Sequence, residues 1–218
     1  ILLPCVYSRR SGGIYASYKH TVIQRHIERF CQVLPNGPDD YLAATRDFAM
    51  ALYRKAAGRE VRYFLDKTPA YSFITEEVIQ LFPDGKFIFL WRNPLAVVSS
   101  AIRTFHEGKW RICGHNAELH NGLASLIAAW EKHCGQACAV RYEDIVAQPE
   151  AELERLTDYL ELPFDRGLLT RFTSTWPHGL KELREHASDT RFNVVSMDPI
   201  DKWRQTLNNP IRKDWCRR

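Results

Sequence analysis

Two short apolar runs in this chain each end abruptly in a cation and a proline, and that pairing constrains the fold more than any other feature. The first reads Val61-Arg62-Tyr63-Phe64-Leu65 and gives way to Asp66-Lys67-Thr68-Pro69. The second reads Lys86-Phe87-Ile88-Phe89-Leu90-Trp91 and gives way to Arg92-Asn93-Pro94. Each run is β-branched or aromatic-rich and is followed by apolar residues at helical spacing, the pattern of a βα unit. Open parallel sheets bind ligands where strands end and helices begin. Helix starts at that edge offer free N–H groups and a positive dipole end. A lysine and an arginine at two such edges therefore describe a site for an anion of the phosphate or sulfate kind.

The rest of the chain extends the same alternation. Helical spacing runs from Tyr18 to Leu34 and stops at Pro35-Asn36-Gly37-Pro38; Asp39 or Asp40 is placed to cap the next helix, which Gly58 ends. A helix over about Ser72–Phe82 lies between the two runs, and Pro94 suits the first turn of a helix over Pro94–Phe105. Glu107 to His120 reads as a polar loop. An amphipathic face built on Leu119, Leu123, Leu126, Ile127 and Trp130 ends at Gly135, and Ala137 to Tyr142 reads as a third strand. Helices are expected near Glu150–Leu160 and Pro163–Phe172, followed by an irregular basic stretch up to Trp203. The expectation is one α/β domain over 1–218, a P-loop-like parallel sheet covered by helices on both faces.

A chain of 218 residues, 45% of them hydrophobic, has enough apolar side chains for a sizeable core. The net charge of +4 is too small for the polybasic field of a nucleic-acid or membrane binder. No apolar run is long enough to cross a bilayer. The chain opens Ile1-Leu2-Leu3-Pro4 without an initiator Met, so it reads as a fragment, incomplete at the N-terminus and also at the C-terminus. The six cysteines are scattered and form no CxxC pair, which fits free thiols in a reducing, cytoplasmic compartment. His133, Cys134 and Cys138 lack a fourth ligand at zinc spacing, and no metal is expected.

Arg92, set just after a strand, can fork its guanidinium onto a phosphate at the sheet edge. Ser99 and Ser100 lie about two turns into the following helix, where one hydroxyl can turn back toward the strand end. Lys67 can neutralise charge developing on the oxygen between the halves of a phosphosulfate, with Thr68 beside it as a hydroxyl. Asp66, His106 and His115 are the acid–base candidates, and none is assigned as the general base.

These residues also carry a resemblance. Asp66-Lys67-Thr68-Pro69-Ala70-Tyr71, Leu81-Phe82-Pro83-Asp84-Gly85-Lys86-Phe87-Ile88, and Arg92-Asn93-Pro94 with Ser100 eight places after Arg92 resemble the sulfotransferase family, most closely its bacterial branch. Val140-Arg141-Tyr142-Glu143-Asp144-Ile145, Tyr159-Leu160-Glu161-Leu162-Pro163 and Asp201-Lys202-Trp203-Arg204 continue in the family's order. The resemblance implies sulfuryl transfer from 3′-phosphoadenosine 5′-phosphosulfate (PAPS), a co-substrate, to an acceptor hydroxyl or amine on a small molecule, glycan or lipid. It places Arg92 and Ser100 on the 3′-phosphate, Tyr142 near the adenine, and Lys67 with Thr68 at the phosphosulfate. The family's glycine-containing phosphosulfate loop is not Arg10-Ser11-Gly12-Gly13, which lacks the following Thr, so that loop is expected upstream of Ile1. Ala70 and Ser72 stand where the branch often has Arg and His. Two further readings remain: a 3′-phosphoadenosine-binding domain without turnover, and a P-loop nucleotide kinase. No Walker lysine motif supports the kinase.

Overall fold

The computed structural model describes residues 20–112, 115–169 and 200–217. In chain order the helices and strands are α1 (His20–Cys31), α2 (Pro38–Ala57), α3 (Thr75–Leu81), β1 (Phe87–Trp91) and α4 (Pro94–Phe105), then α5 (Leu123–His133), β2 (Ala137–Arg141), α6 (Tyr142–Ala147), α7 (Pro149–Tyr159), α8 (Lys202–Thr206) and α9 (Pro210–Arg217). They fall into two compact units, residues 1–85 with 116–133, and residues 86–115 with 134–218. No helix among the described residues is long and apolar enough to cross a membrane.

In the first unit α2 begins at Pro38, whose missing N–H suits the opening turn, and ends at Gly58, which takes the left-handed conformation at φ 65°. Asp39 and Asp40 occupy its first turn instead of capping it. The Asp40 carboxylate reaches back to the Asn36 backbone N–H and side-chain amide, both at 2.9 Å, and these bonds lower its pKa. The core gathers on Ala49, Ile74 and Leu81, all fully buried, with Leu42, Tyr53, Tyr71, Phe73, Val78 and Phe82 packed around them. A tight turn over Pro69–Phe73 precedes α3, so the helix expected from Ser72 starts three residues later. A wide turn over Glu118–Gly122 opens α5, and Gly122 lies so close to the Pro69–Phe73 turn that a Cβ there would sit 2.8 Å from Ser72 Oγ.

The second unit holds a parallel strand pair in register Phe87↔Ala137 through Trp91↔Arg141. Tyr159 at the end of α7 ties the strand starts together: its hydroxyl accepts from Phe87 N–H at 2.9 Å and donates to Gln136 O at 3.1 Å. Arg155 donates to Ala139 O at 2.7 Å from the same helix. Cys138, Val140 and Phe89 are buried, as are Ala96, Val98, Ser99 and Ile102 along one side of α4, against which α8 packs. Helices with a parallel sheet make the fold α/β, as expected.

The Val61–Leu65 run is not a strand. Among the described residues the ladder consists of β1 and β2 alone, and Val61, Tyr63, Phe64 and Leu65 stay exposed. A strand requires a partner to take its N–H and C=O groups, which local composition does not supply. Within the span expected as the helix Pro163–Phe172, the described residues form only a short turn over Arg166–Leu169. The Glu107–His120 stretch is helical from Asn116 onward.

Candidate functional site

Equal register brings the ends of β1 and β2 level, so Arg92 and Tyr142, the next residue on each strand, meet. The Arg92 guanidinium carbon lies 4.1 Å from the Tyr142 ring centroid, a cation–π stack that fixes the plane of the fork. Its Nε is buried and has no hydrogen-bond partner among the described residues. A buried guanidinium N–H without an acceptor is costly unless a ligand completes it.

The sequence expectation that α4 offers free N–H groups to an anion does not hold. Asn93 caps the helix, its Oδ1 accepting from Leu95 N–H at 2.9 Å, and its backbone oxygen accepts from Ala96 and Val97. The Asn93 N–H itself donates to Glu143 Oε1 at 2.9 Å. Pro94 has no N–H, so this helix start is already satisfied and the cation, not the helix end, is the open anion group. Of the two serines, Ser99 is buried while Ser100 is half-buried. Ser100 sits seven residues beyond Asn93, two turns along the same side of α4.

In the other unit the loop carrying Lys67 is pinned from below. Asp66 accepts hydrogen bonds from the hydroxyls of Tyr53, Tyr71 (2.7 Å) and Thr68 (2.9 Å). Burial pushes the Asp66 carboxyl upward, but the three hydroxyls outweigh it and hold the pKa below its ordinary value. Burial and the Asp66 charge raise the pKa of both tyrosines. Thr68 is extended, so the side chains of 66 and 68 share one side and Lys67 takes the other. Lys67 is exposed and makes no ion pair among the described residues. With the Thr68 hydroxyl proton directed at Asp66, only its lone pairs and its backbone remain for a ligand.

His106 and His115 approach each other at 3.0 Å between Nε2 atoms. His133 bonds Glu76 at 2.7 Å, and no cluster able to hold a metal exists among the described residues. Trp203 is half-buried beneath Arg204 at 4.6 Å. The Arg10–Gly13 segment and most of the basic stretch before Trp203, with Arg184, His186, Asp189, Thr190 and Arg191, lie outside the described residues. Sequence reasoning gave no role to Glu143, Tyr53 or Tyr71, although Tyr71 stands inside the Asp66–Tyr71 segment and Glu143 inside the Val140–Ile145 segment.

The fold is thus α/β, with an arginine stacked on a tyrosine at the end of a parallel strand and its buried Nε left without a partner among the described residues. The chain belongs to the sulfotransferase family, whose profile matches residues 15–166. It is 27% identical over 143 residues to protein-tyrosine sulfotransferase A of Caenorhabditis elegans, covering 62% of this chain and 37% of that protein. It is 30% identical over 154 residues to the nodulation protein NoeE of Sinorhizobium fredii, covering 58% and 35% respectively. The chain thus spans well under half the length of either of these relatives. In fold it resembles a sulfotransferase domain from the curacin biosynthetic pathway, with a TM-score of 0.59 at 20% identity, covering 96% of this chain and 81% of that one.

Proposed function

We propose that this chain, residues 1–218, is part of a cytoplasmic domain that transfers a sulfuryl group from PAPS to an acceptor hydroxyl or amine, without a metal. The observation that carries the reading is Arg92, stacked on Tyr142 with a buried, unpartnered Nε. That orphaned donor fits a phosphate, and the family match covers residues 15–166. Cys31, Cys134, Cys138 and Cys216 are free thiols, in keeping with a reducing compartment.

In this proposal Arg92 and Ser100 hold the 3′-phosphate and Tyr142 borders the adenine. PAPS supplies the sulfuryl group, leaving 3′,5′-bisphosphoadenosine. Lys67, held outward by the Asp66 anchor, neutralises charge growing on the bridging oxygen as the sulfuryl group departs. Thr68 steadies that lysine through Asp66. The chain's contribution is positioning and charge, since the transfer is an in-line displacement. Two relatives support a hydroxyl acceptor: one is named a protein-tyrosine sulfotransferase, and one from Mycobacterium tuberculosis an omega-hydroxy-beta-dihydromenaquinone-9 sulfotransferase. A hydroxyl on a peptide, small molecule, glycan or lipid is the expected acceptor.

The test is transfer of sulfur label from PAPS to a tyrosine peptide or a hydroxylated lipid in chelator. Lys67→Ala should cut transfer about 100-fold, as loss of one charge-stabilising donor does. Transfer undiminished in that variant, or no sulfuryl transfer from PAPS alongside magnesium-dependent phosphoryl transfer from ATP, would overturn the proposal.

A further inference from the structure

A carboxylate stands where an anion site least tolerates one. Glu143 follows Tyr142 directly, in the first turn of α6, and its Oε1 accepts the Asn93 N–H at 2.9 Å across the strand pair. Asn93 in turn follows Arg92 directly, so one hydrogen bond links the two residues adjoining the cation–π pair. The charge is favourably placed: it lies in the first turn of α6 and bonds the residue that caps α4, beside two positive helix ends. It also takes the N–H that the start of α4 would otherwise offer to a ligand.

We propose that Glu143 is a positioning residue for recognition of the 3′-phosphate. By anchoring Asn93 it holds Arg92 in register with the Tyr142 ring, and by filling the start of α4 it leaves the guanidinium as the group that meets the anion. The inference rests on the nucleotide reading above. It differs from a general structural role in its expected readout: the Glu143 bond reaches the residue beside the guanidinium, so its loss is expected to fall on the 3′-phosphate.

Calorimetry on the full chain with 3′,5′-bisphosphoadenosine and with 5′-AMP tests it. Glu143→Ala should weaken bisphosphate binding about tenfold, the loss of one hydrogen bond to a charged group, while AMP binding stays within about twofold. Glu143→Gln keeps the acceptor oxygen and should stay within about threefold of the wild type. Glu143→Met keeps the side-chain volume without the acceptor, and should repeat the Ala result if the Ala variant is unstable. A selective wild type with unchanged selectivity in Glu143→Ala and Glu143→Met would overturn the inference alone. Equal loss in Glu143→Gln and Glu143→Ala would do the same. A wild type that binds both nucleotides equally would overturn the nucleotide reading and this inference with it.

Discussion

Replacing Tyr53 by Phe removes one of the three hydroxyls that converge on Asp66 and leaves the ring in place. The ring is stacked on Phe64 at 4.6 Å and borders Phe82, so packing survives the change. A hydrogen bond to a charged acceptor is worth about 1.5–3 kcal/mol. The Asp66 carboxylate is only half-buried and keeps two other donors, which puts the loss at the lower end, about 1–1.5 kcal/mol. The sign with pH follows from the depressed Asp66 pKa. Its contribution is fully present above the unfolded value near 3.8 and is lost as pH falls through the lower folded value. Urea unfolding of wild type and Tyr53→Phe should therefore differ most near neutral pH, with the gap narrowing in acid below about pH 4. A difference below about 0.3 kcal/mol at neutral pH, or one that is the same in acid, would refute the anchor.

Two further substitutions probe the same unit. Gly122→Ala places a methyl 2.8 Å from Ser72 Oγ and should destabilise by about 1–3 kcal/mol, seen as a lower melting temperature, unless Ser72 is also made Gly. Glu76 binds Lys132, His133 and Gln80; burial raises its pKa, but these bonds outweigh it and lower the value overall. Glu76→Gln should lose about 1 kcal/mol at neutral pH by chemical unfolding, and the loss should fade as pH drops through the folded pKa, below 4.5.

What was legible in the sequence was what neighbours along the chain decide. Pro94 announced α4 to the residue, the Lys86–Trp91 run announced β1 to within one residue, and the position of Arg92 followed from both. The errors are non-local. Val61–Leu65 has the composition of a strand, but a strand exists only with a partner, and none lies beside it among the described residues. The start of α4 looked open because Glu143, fifty residues later, gives no local sign that it will close it. Tyr53 reaches Asp66 from thirteen residues upstream, a contact that only the fold of α2 over its core creates. Lys67 drew notice by its neighbours Asp66 and Thr68, yet the three hydroxyls gathered on the Asp66 carboxylate beside it did not show in the sequence.

The most direct measurement is the ratio of dissociation constants for 5′-AMP and 3′,5′-bisphosphoadenosine, in wild type and in Arg92→Ala. A guanidinium waiting at the end of β1 for a 3′-phosphate predicts a ratio of about 100 in wild type, from roughly 3 kcal/mol of charge-assisted bonding, falling to near unity in the variant. A wild-type ratio near unity, or one that Arg92→Ala leaves intact, would contradict the account.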